Sequence, residues 1–230
     1  MTASWKRLIN MTYAVSPELL LPHVPAGVTL DCIDGKAFVG LVPFSFENVT
    51  MNRLRIPFHQ SFPEINLRFY VKHRLGRGVV FLRECAPKRA VVWLARKKYN
   101  EPYCCKKMKE KVRMFTDGTF SVAHSLWSNG IKNTVEVTAR TTPVFPDKNS
   151  SAHYFKELEL GFGIAHNKQT MLYRIHHPEW EVFPVVSYAL NMNFGAVFGE
   201  KWAFLSAEKP LDVSLVKGSA VTVAPITPLL

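Results

Sequence analysis

The chain has 230 residues, 47% of them hydrophobic, and a mean hydropathy near zero, which suits one compact domain over 1–230 and argues against a disordered protein. Its longest uncharged apolar run, Ala90 to Ala95, is far short of the ~20 residues that span a bilayer as a helix. The net charge of +11 is concentrated, because eleven Lys or Arg and three acids between Arg83 and Arg113 supply +8 of it.

Lys6 and Arg7 have no apolar stretch behind them, since Asn10 and Thr12 interrupt. The N-terminus therefore does not read as a signal peptide, and the expected compartment is the cytoplasm. Leu8 to Val15 predicts a first strand. Ser16 caps a short helix with Pro17 at its first position and Glu18 in its first turn, and Pro22 stops it. Val28 to Ile33 and Lys36 to Phe46 predict strands joined at Asp34-Gly35, a hairpin signal. A strand from Glu64 to Val71 follows, paired with Val79 to Glu84.

Pro87 opens a helix in which Val91, Leu94, Ala95 and Lys98 recur at helical spacing, with Arg96, Lys97 and Lys98 where cations suit the dipole. Next comes a meander: Lys106 to Phe115, a turn at 116–119, Phe120 to Trp127, a turn at 128–130, then Ile131 to Thr141. A Pro-rich loop over 142–151 leads to a short helix at 152–160 and strands at 161–166 and 170–177. Strands are also predicted at 180–193, 211–217 and 219–224, the last two turning at Lys217-Gly218. Ten to twelve strands and two or three short helices make the fold α+β, strongly β and mostly antiparallel.

The four cysteines, Cys32, Cys85, Cys104 and Cys105, are too few and too irregular for a disulfide framework. They read as reduced thiols, with Cys104 and Cys105 on opposite faces of a strand. Adjacent His176 and His177 point opposite ways on a strand, and no spaced set of His, Cys, Asp or Glu suits a metal. The sequence implies no cofactor. Gly161-Phe162-Gly163 is too little for phosphate binding, and 193–199 reads as a bend or a close backbone approach.

The stretch from Glu64 to Val71 alternates strictly. Ile65, Leu67, Phe69 and Val71 share one face, and Glu64, Asn66, Arg68 and Tyr70 share the other. An acid, an amide, a guanidinium and a phenol in a row fit either a solvated sheet face or the lining of an interior cavity. Glu64 and Arg68 stand roughly 13 Å apart along a strand, too far to pair with each other. If both are buried, each needs a partner from another strand or from a ligand.

Pro57-Phe58, Phe62 to Val71 as Phe-Pro-Glu-Ile-Asn-Leu-Arg-Phe-Tyr-Val, and Gly76 to Phe81 as Gly-Arg-Gly-Val-Val-Phe resemble the YqjF-like proteins of unknown function. That group is similar to the acetoacetate decarboxylases and forms a branch of their superfamily. The likeness runs from Trp5 to about Pro225 and includes the Ser-Pro-Glu-Leu-Leu-Leu-Pro run at 16–22. It implies a curved sheet closing into a barrel or cone around a pocket, with Glu64 matching an acidic residue of the decarboxylase site.

Acetoacetate decarboxylases attack a ketone with a lysine whose pKa is lowered by desolvation and a neighbouring cation. There the lysine pair follows a Gly-Phe-Pro reached six residues after an arginine. Here Pro102 stands six residues after Arg96, and Tyr103 and Cys104 follow it. The resemblance thus implies that the imine-forming lysine is absent, and Lys106 and Lys107 are three residues out of register. The site it implies has Glu64 and Tyr103 as acid–base residues and Asn66, Arg68 and Tyr70 as substrate-binding ones. Its partner would be a small anionic or keto-acid metabolite, and any catalysis would be lyase- or isomerase-like. The basic stretch at 83–113 keeps open a different reading, a surface for nucleic acid or another polyanion, although no nucleic-acid motif accompanies the charge.

Overall fold

A computed structural model describes residues 1–51, 54–55 and 57–229 of the chain. In chain order the elements are β1 (Thr2–Val15), β2 (Thr29–Leu30), β3 (Ala37–Thr50), β4 (Phe62–His73), β5 (Gly76–Ala86), α1 (Arg89–Leu94) and β6 (Tyr103–Cys105). Then come β7 (Lys107–Met114), β8 (Thr119–Ser128), β9 (Ile131–Arg140), α2 (Ser151–Lys156), β10 (Leu160–Ile164) and β11 (Thr170–His176). The chain ends with β12 (Val182–Phe183), β13 (Val185–Asn191), α3 (Phe194–Phe198), β14 (Asp212–Val223) and β15 (Thr227–Pro228). Among the described residues, no helix is long and apolar enough to cross a membrane.

The larger sheet is mixed and curved. Pairing runs β14–β1–β3–β4–β5–β10–β11, antiparallel except between β5 and β10. β11 then returns to β14 through Ile175–Val223 and His176–Thr222. The expected closure thus exists, but it is a seam of two residue pairs and the sheet is not a regular barrel. β6 adds in parallel to β5. A second sheet, β13–β9–β8–β7, contains the predicted meander nearly to the residue.

The two faces of β4 explain the layers. Ile65, Leu67, Phe69 and Val71 are fully buried in a core shared with Val122, Leu126, Val135 and Val137 of the second sheet and Phe194 and Val197 of α3. Burial of each such side chain favours folding by about 1.5–3 kcal/mol. The other face of the large sheet looks into a separate cluster that includes Phe44, Phe46, Phe62, Tyr173, Trp180 and Val216. The polar residues of β4 are on this inner side.

Several expectations are corrected. The predicted pair at 211–217 and 219–224 is one strand, β14, that runs straight through Gly218. Gly218 has φ +76°, and a Cβ there would fall 2.0 Å from the Trp5 carbonyl oxygen, so glycine serves close strand approach and not a reversal. Residues 194–198 form α3, because the Asn193 side chain accepts from the Ala196 amide at 2.9 Å, an N-cap. The strand predicted at 180–193 breaks at Pro184, which lacks an amide proton. β2 keeps only two residues of 28–33 and pairs with β4, while Asp34 and Gly35 still form the turn, both at positive φ. The first strand starts at Thr2 because Arg7 adopts φ +53° and absorbs a register shift against β3.

Candidate functional site

Glu64 and Asn66 are the polar centre of the inner face, each no more than 2% exposed. Directly opposite Asn66 on β5 is Glu84, also buried. Simple alternation from Val79 would have turned Glu84 to the outer face. A register shift opposite Leu67 and Arg68 switches the parity of β5, so Val79, Phe81 and Glu84 all share the inner side.

β6 then sets Tyr103 beside Glu84 in parallel register. The Tyr103 hydroxyl donates to Glu64 Oε2 at 2.6 Å, and Asn66 Nδ2 donates to Glu64 Oε1 at 3.3 Å. Asn66 Oδ1 and Glu84 Oε2 are buried with no hydrogen-bond partner. Tyr173 of β11 packs over Gly161, where a Cβ would lie 2.1 Å from the ring Cζ, so the predicted glycine pair seats an aromatic ring.

These groups form one electrostatic unit. Burial pushes the Glu64 carboxyl up to about 7, opposed by the hydrogen bonds from Tyr103 and Asn66. Glu101, half-buried just before Tyr103, is also pushed up to about 7, by burial and then by the charge of Glu64. Glu84 is raised well above the carboxylate range by burial and by the charges of Glu101 and Glu64. The Tyr103 and Tyr173 phenols are raised by burial and by the same carboxylates. Burial and mutual repulsion thus push all three acids toward their protonated forms.

The structure unites Glu64, Asn66 and Tyr103 but sets Arg68 and Tyr70 further along the strand. One Arg68 Nη donates to the Phe155 carbonyl at 3.4 Å, and its Nε is buried without a partner. Arg68 still acts on the centre, since its charge opposes the upward shift of Tyr173. Tyr70 is buried against Phe155 and points its hydroxyl to Asn10 Oδ1 at 3.4 Å. Lys106 donates to Ser128, and Lys107 lies over Trp127. His177 stacks on Trp180. Among the described residues, no group of three His, Cys, Asp or Glu could hold a metal ion.

Sequence reasoning missed Glu84, Glu101 and Tyr173. It also missed Lys156, the buried lysine of α2, whose ammonium is paired with Glu157. Behind the site, on the outer face, the Cys85 and Cys104 sulfurs lie 3.0 Å apart. The Cys85 bond, with the nearby Arg83 and Lys106 charges, draws the Cys104 thiol down to about 7 against its burial.

A groove of about 780 Å³ lies beside β6, with Arg89, Trp93, Arg96, Lys97, Glu101 and His166 among its walls. It is formed by α1 and the π-helical turn Ala95–Tyr99, which replaces the second half of the predicted helix.

Comparison with known proteins is consistent with this architecture. Residues 2–219 match DUF2071, a family of uncharacterized conserved proteins. The chain belongs to the DUF2071 family. It is 31% identical over 112 residues to the uncharacterized protein YqjF of Bacillus subtilis, a match that spans 48% of this chain and 46% of that protein, about half of each. Among solved structures it is similar to the enduracididine biosynthesis enzyme MppR, with a TM-score of 0.68 at 12% identity over 99% of this chain and 88% of that one. Acetoacetate decarboxylase from Legionella pneumophila gives 0.66 at 13% identity, over 100% and 87%. At such identity the likeness extends to the fold alone, and this DUF2071 chain has the fold of acetoacetate-decarboxylase-like enzymes.

Proposed function

We propose that the chain binds a small anionic or keto-acid metabolite against the inner face of β4, with Glu64 as acid or base and Tyr103 as the phenol that orients it. The observation that carries this reading is the 2.6 Å bond from Tyr103 to Glu64 among three carboxyls with raised pKa. A carboxyl near 7 is found in both protonation states around neutral pH, so it can take and return a proton. Asn66 and Arg68 supply donors on the same face, and the Arg68 guanidinium suits a carboxylate bidentately. Tyr70, engaged with Asn10, shapes the wall.

The chemistry that fits is proton transfer at a carbon beside a carbonyl, lyase- or isomerase-like and without an imine. Tyr103 occupies the position where the resemblance expects a lysine, and a phenol cannot form one. The ammonium of Lys156 is held by Glu157. One MppR structure of the same fold is described as complexed with pyruvate, which guides the choice of probe.

Thermal shift against pyruvate, acetoacetate and other 2- and 3-keto acids tests the proposal. Stabilisation of the wild type that is lost in Glu64→Gln is the expected result. A flat response across the series, or an undiminished one in Glu64→Gln, would overturn it.

A second reading is favoured by the exposure of Arg89, Lys97, Lys98, Lys107, Lys109, Lys111 and Arg113, a solvated cationic face that suits a polyanion. Salt-sensitive retention on heparin, weakened by charge reversal at Lys109 and Lys111, would support it.

A further inference from the structure

The groove beside α1 carries more positive charge than its surroundings balance. Arg89, Arg96 and Lys97 are exposed on its walls, and none of them makes an ion pair among the described residues. Their mounting is firm. Lys97 Nζ lies 4.9 Å from the Trp93 ring centroid, a cation–π distance. His166 Nε2 is 3.1 Å from each of the Arg96 and Lys97 carbonyls, which ties the end of the turn to the loop after β10. Three cations held in one concavity, and not spread among acids, form a local field that draws oxyanions.

The acid in this groove is Glu101. No hydrogen bond or ion pair engages its carboxyl among the described residues, and its charge acts on Glu84 while that of Glu64 acts on it. Glu101 therefore belongs both to the groove wall and to the set of acids that act on one another. Cations on the groove wall and raised-pKa acids beyond Glu101 would orient a two-ended ligand, with a carbonyl end suited to the acids and a charged end suited to the cations.

We infer that the groove is a tail-binding site, in which Arg89, Arg96 and Lys97 hold the terminal phosphate or carboxylate of a metabolite whose carbonyl end reaches Glu64 and Tyr103. This rests on the proposed function for the head of the ligand and not for its tail. The substrate class becomes narrower: a molecule with a carbonyl and a second, remote negative charge. Guanidinium groups match both phosphate and carboxylate oxygens in pairs, so either tail satisfies the site.

Calorimetric titration at fixed ionic strength with inorganic pyrophosphate, and separately with 2-oxoglutarate and pyruvate, tests the inference on the full chain. Pyrophosphate should bind the wild type and lose at least tenfold in affinity in Arg89→Gln/Lys97→Gln, whose exposed side chains can change without unfolding the protein. Glu64→Gln should leave pyrophosphate binding intact. 2-Oxoglutarate should bind more tightly than pyruvate, and that advantage should vanish in the double variant. Equal pyrophosphate affinity in the wild type and the double variant, or no binding at all, overturns the tail site while leaving the Glu64 reading standing. Pyrophosphate binding with no keto acid bound at Glu64 would do the reverse. Displacement of pyrophosphate by heparin that persists in Arg89→Gln/Lys97→Gln would assign the charge to a polyanion and also overturn the tail site.

Discussion

The Tyr103 hydroxyl reaches Glu64 Oε2 across 2.6 Å from a strand of only three residues, held in parallel along the edge of β5. That short strand is a tether. The register Glu84–Tyr103 fixes where the phenol stands, and the phenol in turn holds one carboxylate oxygen of a strand two places away in the sheet. Removal of the hydroxyl by Tyr103→Phe is expected to destabilise the fold by roughly 1–3 kcal/mol, the cost of a buried polar atom left without its partner. It should also move the Glu64 titration further upward, since the bond from Tyr103 favours the ionised form. Carboxyl-detected NMR titration of both proteins would check this, and a Glu64 midpoint that does not rise would refute it.

The raised carboxyls make stability depend on pH in a definite direction. Glu64 and Glu101 move from an ordinary 4.5 to about 7 in the folded chain. Between those values the folded state retains protons that the unfolded state has released, so their contribution is fully present below about pH 4.5 and is lost as pH rises through 7. Buried His124, pushed down to about 4 by desolvation, acts with the opposite slope. The comparison must therefore be between proteins. Glu101→Gln should flatten the decline between pH 5 and 8 by about 1–3 kcal/mol relative to wild type, as read from urea midpoints.

Gly161 and Gly163 offer a matched pair of substitutions. Gly161→Ala would set a methyl 2.1 Å from Tyr173 Cζ, which the buried ring must vacate, and a loss of roughly 1–3 kcal/mol is expected. Gly163→Ala meets only Glu101 Oε1, at 3.4 Å, an ordinary contact with a flexible side chain. Thermal melts should show the first clearly destabilised and the second close to wild type.

Borohydride reduction in the presence of acetoacetate or pyruvate should trap no adduct. The proposed site has a phenol where a nucleophilic amine would be needed, and Lys156 is paired with Glu157. Intact mass before and after reduction is the measurement. An added mass mapped to Lys156 or Lys106 would return imine chemistry to the protein.

The architecture was legible where local rules act alone. The alternation of β4 told its two faces apart, the turns at 116–119 and 128–130 delimited the meander, and both survive in the structure. The candidate site was legible in part. Glu64 and Asn66 stand out as polar residues at alternate positions, whereas the approach of Tyr103 to Glu64 came from the family likeness and not from spacing. Glu84 was invisible because a single register shift reverses the parity of β5, and nothing in Phe-Leu-Arg-Glu-Cys marks that shift. Glu101 and Tyr173 come from a loop and from a strand more than 70 residues further on, so only tertiary closure brings them near. The helix at 194–198 was a different kind of miss, since Asn193 and Gly199 are readable caps that the glycines obscured.

The ring of strands is fastened unequally. β1 and β14 meet along ten residue pairs, whereas β11 and β14 share two. A garment opens at its shortest row of stitches. Thermal strain is expected to part the sheet between β11 and β14 first, freeing the strand that carries Tyr173 while β4, β5 and β6 keep Glu64, Glu84 and Tyr103 assembled.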